Sequence, residues 1–154
     1  MKKQLLFGLL AICGTQMFAA GQLLAMGGED FATLSFNAYT ALESKDESKA
    51  FDAAMALLGM NTSASLSSAA YYFDKLGRKA EVMTCVDALI NLAQETSDIE
   101  NTVNAYSNAG AILKALESNP KKLSGIVRAL ENISAENPSL AFWINNIKSG
   151  IVKK

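Results

Sequence analysis

The chain has 154 residues, half of them hydrophobic, with 14 basic and 15 acidic side chains, two prolines, ten glycines, two cysteines and no histidine. That length holds one domain with a substantial core, and so little proline and glycine excludes collagen-like or low-complexity character. The lack of histidine removes the commonest metal ligand and general base, and the near-balanced charge excludes a basic nucleic-acid-binding surface.

The first thirty residues read MKKQLLFGLLAICGTQMFAAGQLLAMGGED. Lys2 and Lys3 precede an apolar run over 5–12, and small residues follow at Ala19, Ala20 and Gly21. That order predicts a signal peptide over 1–21 and an exported protein, periplasmic or secreted, cut after Gly21 or, as second choice, after Ala25. The apolar run is shorter than the ~20 residues of a membrane span. No charge occurs between Lys3 and Glu29, however, so an uncleaved membrane anchor through residues 4–28 is the alternative. Cys13 follows Ile12 rather than a small residue, which argues against a lipoprotein signal. After cleavage Cys85 would be the one remaining cysteine, so the mature fold needs no disulfide, and "EVMTCVDALI" makes it an apolar filler.

Apolar spacing and end signals then predict seven helices within one domain, 22–154. The first, 29–44, aligns Phe31, Leu34, Ala38 and Leu42, with Glu29 and Asp30 at its positive end. Ser44-Lys45-Asp46-Glu47 has the form of a capping box for the second, which carries Phe51, Ala54, Met55 and Leu58 and stops at Gly59. "NTSASLSS" offers caps for a third helix with Leu66, Ala69, Phe73 and Leu76, closed by Gly77. The fourth, 79–95, aligns Val82, Val86, Leu89 and Ala93. Ser97-Asp98-Ile99-Glu100 reads as a second capping box, opening a fifth helix with Ile99, Val103, Tyr106, Gly110, Leu113 and Leu116 on one line. Asn119-Pro120 and Asn137-Pro138 each set a cap before proline at the first helical position. The sixth helix bears Leu123, Ile126, Val127, Leu130 and Ile133, and the seventh bears Leu140, Trp143, Ile144, Ile147 and Ile151.

Links at 44–47, 77–79 and 117–120 are short enough to force antiparallel neighbours. The fold class is therefore all-α: three hairpins, 29–58, 63–95 and 97–134, plus a terminal helix at 138–152. The second helices end in related phrases, "AMALLGMN", "VDALINLA" and "VRALENIS". Their Ala-Leu pairs, Ala56-Leu57, Ala88-Leu89 and Ala129-Leu130, lie 32 and 41 residues apart. "SAAYYFDKLGRKAEVMTCVDAL" looks like one unit of a repeat, and "VRALENISAENPSLAFW" like the join from a unit to the next helix. In these stretches the chain resembles tetratricopeptide-type repeats, whose period is about 34 residues. The resemblance implies a short α-solenoid of stacked antiparallel hairpins with a capping C-terminal helix; an irregular helical bundle is the alternative. Either arrangement buries a shared core and exposes a groove.

Enzymatic motifs are missing. "LAMGGED" lacks the spacing of a phosphate-binding loop, no Cys/His cluster suits zinc, and the paired acids fall at predicted helix starts, where capping accounts for them. The expected protein is not an enzyme and uses no cofactor or metal. Asn101, Asn104 and Asn108 form one polar stripe, and Asn37, Tyr72 and Asn145 have comparable places on other first helices of the pairs. Amides that both donate and accept, beside a rigid aromatic, suit an extended peptide backbone. The resemblance implies the same, because asparagines on first helices hold peptide ligands in that family. The expected function is protein or peptide binding; alternatives are a membrane-tethered structural or assembly protein and an apolar small-molecule carrier. Charge is uneven: residues 22–113 carry five basic and twelve acidic groups, residues 114–154 seven and three. That polarity suits self-association or an oriented partner.

Overall fold

The computed structural model describes residues 30–152. The expected leader at 1–21, the alternative anchor at 4–28, Cys13, Glu29, Lys153 and Lys154 lie outside them. Among the described residues the chain is all-helical: α1 (Phe31–Glu43), α2 (Glu47–Gly59), α3 (Ser63–Lys75), α4 (Lys79–Glu95), α5 (Ile99–Ala115), α6 (Pro120–Glu136), a 3-10 turn (Pro138–Leu140) and α7 (Ala141–Val152).

Helix starts are set by short polar side chains that satisfy otherwise unpaired amides. Asp30, Asp46 and Asp98 accept from the amides of Thr33, Lys49 and Asn101. Thr62 and Ser65 form a reciprocal capping box at α3, each hydroxyl accepting from the other residue's amide. Asn119 caps α6 with Pro120 at its first position, as the sequence predicts. The two expected Ser-x-x-Glu boxes are corrected. Ser44 still belongs to the end of α1, its hydroxyl donating to the Thr40 and Ala41 carbonyls, and the neighbouring aspartates do the capping. Asn137 likewise donates back to the Ile133 carbonyl of α6, and the proline after it opens the 3-10 turn rather than α7 itself.

Most links reverse the chain through a left-handed residue: Lys45 (φ 59°), Asn61 (φ 49°), Gly77 (φ 71°), Glu117 (φ 49°) and Asn119 (φ 49°). Gly77 is the expected stop for α3. Gly59 is not the stop for α2, which it completes; Asn61 turns the chain there, a role asparagine tolerates better than other non-glycine residues.

Each helix packs on the next, and the odd-numbered helices also touch one another: α1 on α3, α3 on α5, α5 on α7. No comparable contact joins α2 to α4 or α4 to α6. The odd helices thus form one layer and the even helices the other, a stack of antiparallel hairpins closed by α7. One continuous core runs through it, from Leu34 and Leu57 through Leu66, Phe73, Val86 and Leu89 to Leu113, Leu130 and Ile144. The predicted stripes are buried or half-buried, with two exceptions. Met55 is exposed because α2 turns Ala50, Ala53, Ala54 and Leu57 inward instead, and Ile99 is exposed in the first turn of α5.

The odd-helix contacts are closed by specific groups. Between α1 and α3, the Tyr72 hydroxyl donates to the Ser35 carbonyl at 2.8 Å. Between α3 and α5, Asn108 Nδ2 donates to Ser63 Oγ at 2.9 Å. Between α5 and α7, Gly110 leaves so little room that a Cβ there would lie 2.7 Å from Ile151 Cδ1. Lys148 pairs with Glu131 at 3.0 Å, Lys122 pairs with Asp87, and Lys114 donates to the Gly150 carbonyl, tying α6 and α7 to the stack.

Candidate functional site

A layer of helices that touch each other offers a continuous face on the side away from the even helices. On α3, Ala64, Ser68, Tyr71 and Lys75 recur at helical spacing and are half-buried or exposed. The Tyr71 ring stands edge-on to Tyr72, with centroids 5.3 Å apart, and Lys75 Nζ lies 5.4 Å above it. Burial pushes the Tyr71 hydroxyl above the usual tyrosine range, and the charges of Tyr39, Glu43 and Asp74 push the same way. Those side chains come from both α1 and α3, so aromatic and acidic groups of the two helices lie within electrostatic range of Tyr71, beside the Lys75 ammonium. On α5 the face continues through Asn104, Ser107 and Ala111, all half-buried, with Asn101 exposed at its start.

The sequence-predicted residues divide. Asn101 and Asn104 occupy this face. Asn108 does not: it is 6% exposed, and its amide is spent on Ser63 because that side of α5 meets α3. Tyr72 is also buried, and its hydroxyl fixes α1 on α3. Asn37 turns to the other side of α1, where it lines an open depression toward α2 with Phe36, Thr40 and Ala53. Asn145 is exposed on α7, within one turn of Lys148 and its α6 partner. The six residues therefore do not form one surface.

Tyr39 and Tyr71 were not singled out by sequence reasoning. Their signal was present: on α3, position 71 falls in register with Ala64 and Ser68, small residues that leave an aromatic ring partly uncovered. Nearby, Ser35 Oγ is buried without a hydrogen-bond partner among the described residues, a costly state for a hydroxyl.

Elsewhere the chemistry is quiet. Cys85 is fully buried in α4, and burial pushes its thiol up to about 12, so the nucleophilic thiolate is suppressed at neutral pH. Among the described residues no three Asp, Glu, Cys or His side chains gather as a metal site, and no helix is long and apolar enough to cross a membrane. Searches for a matching family model, curated protein or solved structure find none for this chain.

Proposed function

We propose that this domain is a non-catalytic binding module, tetratricopeptide-like in its use of stacked hairpins, that holds an extended peptide segment of a partner protein across α1, α3 and α5. One observation carries the reading: accessible aromatic and amide groups, Tyr39, Tyr71 and Asn104, occupy consecutive odd helices that are in direct contact. Tyrosine supplies rigid contact area at small entropic cost, and asparagine matches both groups of a peptide bond. Glu43 and Asp74 beside Tyr71 favour a segment with a basic side chain at that point. The lysine-apolar-small order of residues 1–21 supports export as the setting.

A displayed peptide library panned against the purified chain tests this. Selected peptides should be enriched in basic residues, and Tyr71→Ala with Asn104→Ala should weaken their binding at least about tenfold, the equivalent of ~1.4 kcal/mol. The helical circular dichroism should persist, because both residues are only partly buried. Unaltered binding by that double variant would remove this face from consideration.

A further inference from the structure

The stack is not held equally along its length. Seven of the 13 residues of α3 and eight of the 17 of α5 are buried, against two of the 17 of α6 and two of the 12 of α7. The first hairpin falls between, with three of 13 in α1 and four of 13 in α2. Helices that bury few side chains lose little by separating, so local opening concentrates where burial is thinnest.

The seam between α5 and the last two helices is also narrow. Ile126 of α6 and Ile151 of α7 converge on one residue, Gly110: a Cβ there would lie 3.5 Å from Ile126 Cγ2 and 2.7 Å from Ile151 Cδ1. Two lysine contacts tie α6 and α7 back to the preceding helices, Lys122 to Asp87 of α4 and Lys114 of α5 to the Gly150 carbonyl. Both are exposed, and exposed pairs of this kind contribute little. Lys148 and Glu131, by contrast, join α7 to α6, and those two helices also pack on each other.

The link that enters this pair of helices is the most strained of the described links. Glu117 and Asn119 both take φ 49°, and no other link among the described residues holds two non-glycine residues in the left-handed region. Such a conformation is unfavourable for a side chain like that of glutamate and persists only while the surrounding packing enforces it.

From these observations we infer that α6 and α7 form one hinged flap, which swings away from α5 about residues 116–119 while α1–α5 stay folded. The body that remains keeps its own closures: Asn108 still bonds to Ser63 between α5 and α3, and Tyr72 to the Ser35 carbonyl between α3 and α1. Opening uncovers Gly110 on one side of the seam and Ile126 and Ile151 on the other, and it frees Glu117 to leave the left-handed region. The flap is independent of the peptide-binding reading, since Tyr39, Tyr71 and Asn104 all belong to the body.

Native-state hydrogen exchange of the purified full chain, followed by mass spectrometry over peptides within 63–115 and 120–152, tests the inference. The slowest amides of α6 and of α7 should exchange together, at least about tenfold faster than the slowest amides of α3–α5. Ile151→Asp, a change in α7 alone, should speed exchange in α6 as much as in α7 and leave α3 and α4 unaltered. Should that variant fail to fold, the ranking in the parent protein decides by itself. Exchange of α6 at the rate of α4 and α5 overturns the proposal, because the stack would then open only as a whole. Exchange of α7 ahead of α6 also overturns it, because the last helix would then come away alone.

Discussion

Helix α5 meets α3 and α7 by opposite means. Toward α3 it presents Asn108, a buried amide whose bond to Ser63 requires a particular register along the two helices. Toward α7 it presents Gly110, which has no side chain and admits Ile151 to near contact with its backbone. The first joint is selective for polarity and alignment, the second for size. Both lie on one helix, two residues apart, so the same element fixes its neighbours by a directional bond on one side and by steric fit on the other. A directional bond tests alignment and polarity but says little about bulk; a steric fit tests bulk and says nothing of polarity.

The sharpest way to break that contrast is to add volume at the glycine. Gly110→Val should destabilise the domain by about 1–3 kcal/mol through overpacking against Ile151 and Ile126, read as a lower denaturant midpoint. Adding Ile151→Ala should return at least ~0.5 kcal/mol of that loss, because the two positions are in contact. Independent, additive effects would mean that no steric joint exists there.

At the polar joint, Asn108→Ala should cost about 1–2 kcal/mol, since it deletes a buried bond and strands the Ser63 hydroxyl. The same change in a Ser63→Ala background should cost less. Equal costs in both backgrounds would show that the asparagine is held by something other than this bond.

The links between helices offer a smaller pair of opposite signs. Gly77→Ala, at φ 71°, should lose roughly 1 kcal/mol, while Lys45→Gly, at φ 59°, should gain up to about 1 kcal/mol. Thermal midpoints of the two variants on either side of the parent would establish that the turns, rather than the side chains in them, set these energies.

The smallest effect is that of pH. The Thr33 amide holds the Asp30 carboxyl below its ordinary range, and bonds from the Lys49 side chain and then its amide hold Asp46 likewise. A depressed folded-state value means that the contribution is complete above the unfolded-state carboxylate pKa and disappears as pH falls through the folded one. The denaturant midpoint should therefore decline below about pH 4, and less steeply in Asp30→Asn. A slope identical in that variant would assign the acid sensitivity to other carboxylates.

Much of the fold was legible because its information is local. Val82, Val86, Leu89 and Ala93 lie on one line whatever surrounds them, and they are all buried. The Asn119-Pro120 start and the Gly77 stop are likewise properties of a few adjacent residues. The misplaced caps show where local reading is weakest. Ser44 and Ser97 have the right spacing to a glutamate, but the aspartates beside them accept the amide hydrogen bonds, and Ser44 is still needed to finish α1. Of the candidate site, the accessibility of Asn101 and Asn104 was legible and the burial of Asn108 was not. The three asparagines do share a side of α5, yet that side is wide enough to span both the open face and the α3 contact.

Among the described residues the sequence by itself determined how many helices form and which stripe of each is apolar, because propensity, capping and periodicity act over a few residues. Tertiary structure alone decided which polar groups stay accessible. Tyr71 and Tyr72 are adjacent and chemically identical, and the approach of α1 makes one a seam between helices and leaves the other partly uncovered. Accessibility is set by what packs alongside, and that depends on residues far away in the chain.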